Sequence, residues 1–178
     1  ETEWDTYESV KDNLTSIEQL LEQDDFSWNN FMLPLEELEN KLGKSWSIVS
    51  HLNSVCNTPE LREAYDKALG LLTDYSTQLG QHLGLYRATK ALFDDAEKQK
   101  LSSTQKHILK HSLIGFKLSG LHLNKEQQQK FAKIQTRLAE ITSKYEQNLL
   151  DATMSWTKTI TDKNELSGLP DTELAMLA

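Results

Sequence analysis

His107-Ile108-Leu109-Lys110-His111 is the segment whose residue types and spacing come closest to a metal site. Two histidines four apart on a helix share a face and can bring two imidazoles to one zinc ion. Peptide hydrolysis by such a pair needs a glutamate directly after the first histidine, to activate metal-bound water. That position is Ile108, so the pair as it stands is not a peptidase site and reads as two surface or boundary histidines on a lysine-rich helix. A carboxylate di-metal bundle would need glutamate three residues before a histidine. The residues three before His51, His82, His107, His111 and His122 are Ile48, Leu79, Thr104, Ile108 and Ser119, which removes that chemistry.

Other chemistries fare no better. Cys56 is the single cysteine, so neither an internal disulfide nor a cysteine-based zinc knuckle can form, and a reducing compartment is compatible. Beside Leu52 and Val55, on the apolar side of a predicted helix, it reads as a buried structural thiol rather than a nucleophile. The acidic pairs Asp24-Asp25 and Asp94-Asp95 fall at predicted helix ends and read as caps rather than an acid/base dyad. The glycines form neither a dinucleotide-binding nor a P-loop pattern, and Gly80 and Gly84 read as marks of close helix packing or a bend. Trp4, Trp28, Trp46 and Trp156 are spread over four elements, as expected for core or interface residues. No catalytic, metal or substrate-binding residue is assigned.

The elements that would position any site are helical. Seven Gly and three Pro in 178 residues, with abundant Leu, Glu, Lys, Gln and Ala, favour long uninterrupted helices and an all-α fold. The net charge of −8 argues against general nucleic-acid binding, which depends on clustered lysine and arginine. Residues 1–99 hold 19 acids and 8 bases, whereas residues 100–178 hold 8 acids and 11 bases, an asymmetry read as solvated helix faces. No apolar run approaches membrane-spanning length and no signal-peptide pattern is present.

Trp4, Tyr7, Val10, Leu14, Ile17, Leu20 and Leu21 predict a first helix over residues 3–23. Asp24, Asp25 and Ser27 are expected to end it and cap a second from about Trp28 to Leu42, with Pro34 kinking that helix or marking its first turn and Gly43 ending it, and a third follows over Ser45 to Val55. Asn57-Thr58-Pro59-Glu60 is a strong helix start, and the helix it opens reaches Leu79. A further stretch runs to about Phe93, and another is capped by Ser103 and stopped at Ser119-Gly120. Asn124 with Gln127 then opens one long helix, whose Phe131, Ile134, Leu138, Ile141, Tyr145, Leu149 and Ala152 predict one buried stripe. Trp156 to Thr161 turns β-branched and aromatic, so a short strand or extended segment follows. Six or seven helices in one lobe are expected, without internal repeats. The start at Glu1 and the helix-like Asp171 to Ala178 read as cut ends.

Several segments in fixed order carry a likeness. Ser50-His51-Leu52-Asn53-Ser54-Val55 with Thr58-Pro59-Glu60-Leu61-Arg62-Glu63-Ala64-Tyr65, Phe116 to Leu123, Ile134 to Glu140, Asn148 to Lys158, and Thr161-Asp162 with Glu165 to Pro170 resemble the N-terminal region of the thimet oligopeptidase family of zinc metallopeptidases, especially its bacterial branch. The resemblance covers essentially the whole chain. It implies a large, mostly helical, cytoplasmic enzyme that cleaves short peptides in a deep channel, with zinc held by an H-E-x-x-H helix and a later glutamate in its C-terminal part. Residues 1–178 would be the N-terminal helical region, cut before the catalytic domain, forming one channel wall and inactive alone. Its implied partners are that catalytic domain and short peptides, with no nucleic acid or membrane and no zinc bound in this segment. The competing expectation is a free-standing helical adaptor or scaffold that binds partner helices. A downstream H-E-x-x-H helix separates the two.

Overall fold

The computed structural model describes residues 3–56 and 58–177, with side chains from Glu8 onward except Lys163. The expected contributions of Trp4 and Tyr7 to the first helix, and of Asn57 to the helix start, lie outside what is described. Helix α1 spans Glu3–Leu21, α2 Leu33–Val55, α3 Pro59–Gly80, α4 Leu83–Asp94, α5 Ser103–Leu118, α6 Lys125–Ser155 and α7 Asp171–Leu177. A wide π-type turn, Trp28–Met32, leads into α2, and a 3-10 turn, Lys163–Leu166, precedes α7. The all-α expectation holds: among the described residues there are seven α-helices and no strand, so the strand expected within Trp156 to Thr161 is not formed and residues 156–162 are neither helix nor strand.

Local chemistry explains most of the helix starts. Thr58 accepts the Leu61 N–H at 3.2 Å with Pro59 directly behind it, so an otherwise orphan donor is satisfied and φ is preset. Asn124 and Gln127 cap each other's backbone, at 2.9 and 3.3 Å. The cap of α5 is Ser102, paired reciprocally with Gln105, one residue earlier than the expected Ser103. Pro34 lies in the first turn of α2, where its missing N–H is harmless.

Gly43 does not end a helix. The two helices expected on either side of it are one, α2, and a Cβ at Gly43 would meet nothing within 4 Å. A glycine inside a helix lowers its propensity by about 1 kcal/mol, which a 23-residue helix packed at several points tolerates. Gly120 does end one. Its φ of +80° is a left-handed conformation that glycine adopts without steric cost, and it lets Gly120 N–H reach Lys117 O while Leu121 N–H reaches Phe116 O.

The chain separates into two compact units, one up to Ser143 and one from Lys144 onward. In the first, Ile17 of α1, Phe31 and Met32 of the π turn, Leu42 of α2, Tyr75 of α3, Leu85, Ala88 and Leu92 of α4 and Leu109 of α5 form the apolar core. Helix α1 packs on α2, α3 and α4, and α4 packs along α5. Close approach is built in where α3 ends: a Cβ on Gly80 would lie 2.5 Å from Ser119 Oγ, and Gln81 donates to Ser119 O at 3.0 Å. Gly84 likewise leaves room for Leu21. Both glycines thus serve packing, as their spacing implied.

The second unit holds the end of α6, the 3-10 turn and α7, and Trp156 there is exposed. It offers water several large apolar side chains, among them Tyr145, Leu149, Met154 and Met176.

Candidate functional site

The histidine pair is formed but stands alone. His107 and His111 lie exposed on α5 with ring centroids 4.3 Å apart, on the side away from the fully buried Leu109. Zinc in a structural site takes four ligands, and a catalytic site keeps three from the protein. Among the described residues no group of three or more His, Cys, Asp or Glu side chains could hold a metal ion, so the residues present do not fit a zinc centre. His51 on α2 and His122 after α5 are exposed and separate.

His82 has a role that its residue type concealed. Its Nδ1 accepts the Leu85 N–H at 3.2 Å, making it the N-cap of α4, and its Nε2 lies 3.0 Å from Glu18 Oε1 on α1. An Nδ1 that accepts a hydrogen bond leaves the proton on Nε2, which therefore donates to the carboxylate. Capping is usually read from Ser, Thr, Asp or Asn, so a histidine cap passes unnoticed in a sequence.

The other expectations divide. Cys56 is exposed, not buried. The last turns of α2 also leave Ile48, Leu52 and Val55 open, so the apolar side of this segment has no covering element among the described residues of the bundle. The acidic pairs do lie at helix ends, and of Asp24, Asp25 and Ser27, the residues expected to end α1 and cap the next helix, Ser27 is the cap, in a reciprocal pair with Asn30 that opens the π turn. Asp94 ends α4 and is bound by Lys90 at 2.6 Å, and Asp95 follows it with Lys98 at 3.2 Å. Both are exposed ion pairs, a poor setting for proton transfer. Trp46 stacks on Tyr65 at 4.9 Å, joining α2 to α3, and Trp28 packs against the core.

The strongest buried polar arrangement joins three helices. Tyr75 of α3 donates its phenol to Glu39 of α2 and accepts from Asn13 of α1 at 3.4 Å, while Asn13 also donates to Leu38 O at 3.4 Å. Burial, then the hydrogen bond to Glu39 and its charge, hold the phenol well above its ordinary pKa of 10.0. A phenol kept neutral this firmly is a structural pin, not a nucleophile.

Helix α6 reverses an expectation. Its predicted stripe is half-buried at Phe131 but open beyond it: Ile134 and Leu138 are each 55% exposed and Ile141 51%. The buried positions on α6 are instead Ser143 and Gln147, and Ser143 donates to Asp66 Oδ1 of α3 at 2.6 Å. Periodicity located the stripe correctly, but the opposite, polar and small-residue side of the helix is the buried one. Among the described residues α6 therefore carries an open apolar face at Ile134, Leu138 and Ile141, beside the one that α2 carries at Ile48, Leu52 and Val55.

No helix of the structure is long and apolar enough to cross a membrane. Comparison with known proteins supplies the context. The model of the neurolysin/thimet oligopeptidase N-terminal domain matches residues 5–128. Oligopeptidase A of Haemophilus influenzae is 49% identical over 165 residues, covering 93% of this chain and 24% of that protein. Oligopeptidase A of Escherichia coli is 46% identical over 168 residues, 94% of this chain and 25% of that protein. A probable cytosolic oligopeptidase A of Arabidopsis thaliana is 33% identical over 162 residues, 91% of this chain and 23% of that protein. The chain thus spans about a quarter of the length of the curated relatives it matches. With a domain match over most of its length and relatives 46–49% identical along more than nine tenths of it, the chain belongs to the neurolysin and thimet oligopeptidase family, as an N-terminal part.

Proposed function

We propose that residues 1–178 form the N-terminal helical wall of the substrate channel in an oligopeptidase A-like zinc metalloendopeptidase that hydrolyses short peptides. The observation that carries this is identity of 46–50% to bacterial oligopeptidase A proteins along most of the chain. Zinc in the parent would polarise the scissile carbonyl and lower the pKa of its bound water. In this reading the segment itself contributes sterically rather than through the metal. A rigid helical wall narrows access to the reacting centre, and a channel too narrow for a folded domain still admits an extended peptide. The segment alone is inactive, and its partners are the catalytic part of its own polypeptide and, through it, short peptides. The cytoplasm is the proposed location.

The test is hydrolysis by the purified parent protein of quenched fluorescent short peptides, beside the same cleavable sequence held within a folded domain. The free peptides are cut, the folded substrate is spared, a zinc chelator abolishes cutting and added zinc restores it. A parent with no peptide cleavage, or one whose cleavage survives chelation, overturns the reading. The adaptor alternative predicts instead a native coding sequence lacking an H-E-x-x-H helix.

A further inference from the structure

We propose that the open face of α6 formed by Ile134, Leu138 and Ile141 is a docking surface for an acidic-edged amphipathic helix from the part of the parent polypeptide outside these 178 residues. The proposal rests on the reading of this chain as part of a longer family member and adds to it the surface and the kind of element that covers it.

Four observations converge on that occupant. First, the face is apolar and open, with all three side chains more than half exposed, while Ser143, on the opposite side of the same helix, is buried and bonded to Asp66. Where α6 meets α3, at Ser143 and Asp66, it does so with its polar side, and the apolar side is left uncovered. Secondly, positions 134, 138 and 141 are spaced by four and three residues, the seam along which one helix receives another at a shallow angle. A strand or an irregular loop would not match that spacing.

Thirdly, the edges of the seam are unlike. Lys130 and Lys133 line one side with Arg137, which Glu140 holds at 2.8 Å, all exposed, and Gln128, Gln135 and Thr142 line the other. A partner helix with Glu or Asp on the facing edge is favoured, and a basic one is repelled. Fourthly, two-fold antiparallel pairing with a second copy would set the edge that carries Lys130 and Lys133 beside the same edge of that copy, which disfavours self-association. By contrast, about three quarters of the relatives' length lies outside the matched region. A helix from there is tethered to the same chain and meets the seam at high effective concentration.

The experiment places a photo-crosslinking benzoylphenylalanine at position 138 of the full-length parent protein, and in a parallel sample at the exposed Lys110 on α5. After irradiation, adducts are mapped by peptide mass spectrometry. Position 138 is expected to give an intrachain adduct to a peptide outside residues 1–178, at least tenfold above the yield from position 110, in a segment with apolar residues at helical spacing and acidic neighbours. If the bulky probe at 138 prevents folding, the same probe at Arg137, on the edge of the seam, reads out the same contact. An adduct of dimer mass, an adduct within residues 1–178, or a yield equal to that at Lys110 overturns the proposal. Peptide hydrolysis by the unmodified parent is read separately. Cleavage without the adduct overturns the docking surface alone, whereas the adduct without cleavage supports the docking surface and overturns the peptidase reading.

Discussion

Helices α4 and α6 are both amphipathic, and they meet opposite fates. On α4 the apolar side is consumed: Leu85, Ala88 and Leu92 are buried in the core, with α1 and α5 packed around them. On α6 the apolar side faces water and a serine on the reverse side makes the buried contact. The same 3.6-residue periodicity thus produces a core helix in one place and an open seam in the other. Periodicity reports where a helix can bury surface, and only the available neighbours decide whether it does. A large apolar side chain on α4 therefore carries folding stability within this chain, and one on α6 is available for stability or specificity in a larger assembly.

The most direct way to break that contrast is truncation inside the core. Leu92 is 0% exposed, and Leu92→Ala removes buried methyl groups from a site enclosed by several helices. It is expected to cost about 2–5 kcal/mol, read as a lower midpoint in urea unfolding of the chain. A loss under about 1 kcal/mol would mean that the first unit is loosely packed, and the contrast with α6 would collapse.

A smaller effect tests whether the covered side is also pinned by polar chemistry. The Tyr75 phenol has its folded-state pKa raised above 10.0 by burial and by Glu39. Below pH 10 the phenol is protonated in both folded and unfolded chains, and its contribution is complete. As the pH rises past 10 the unfolded phenol loses its proton while the folded one keeps it, so stability falls. The slope from this one group approaches about 1.4 kcal/mol per pH unit and persists until the folded phenol also ionises. Tyr75→Phe is expected to lower stability at neutral pH and to flatten that alkaline slope. An unchanged slope would show that Tyr75 is not the group responsible.

What was legible in the sequence follows the range of the interactions involved. Thr58 before Pro59, Asn124 with Gln127, and Ser119-Gly120 were readable because a cap or stop is settled within a few residues. Gly43 was misread because a helix-ending glycine and an exposed mid-helix glycine look alike until the backbone is seen. His82 was missed because a histidine caps only when its ring is turned to the backbone, here with Glu18 at its other nitrogen. Cys56 and the α6 stripe were assigned to the interior because burial depends on residues far away in sequence. The absence of Glu at position 108 was legible at once, since the chemistry of an H-E-x-x-H helix is local. By contrast, the open apolar face of α6 was visible only as a periodicity, which does not tell a buried stripe from an exposed one.

The smallest expected effect is the most discriminating. Leu138→Ala removes a large apolar side chain, the same chemical change as Leu92→Ala, but from a residue that is 55% exposed. Alanine is at least as good a helix former as leucine, so the backbone loses nothing, and little packing is present to lose. Urea unfolding of this chain should shift by no more than about 0.5 kcal/mol in either direction. In the parent protein the same substitution should cost at least about 1 kcal/mol more than in the isolated chain, because there the side chain would enter a helix–helix seam. Equal, near-zero effects in both would leave the face of α6 open to water. A large loss already present in residues 1–178 would mean that the chain covers the face itself, and that α4 and α6 are alike after all.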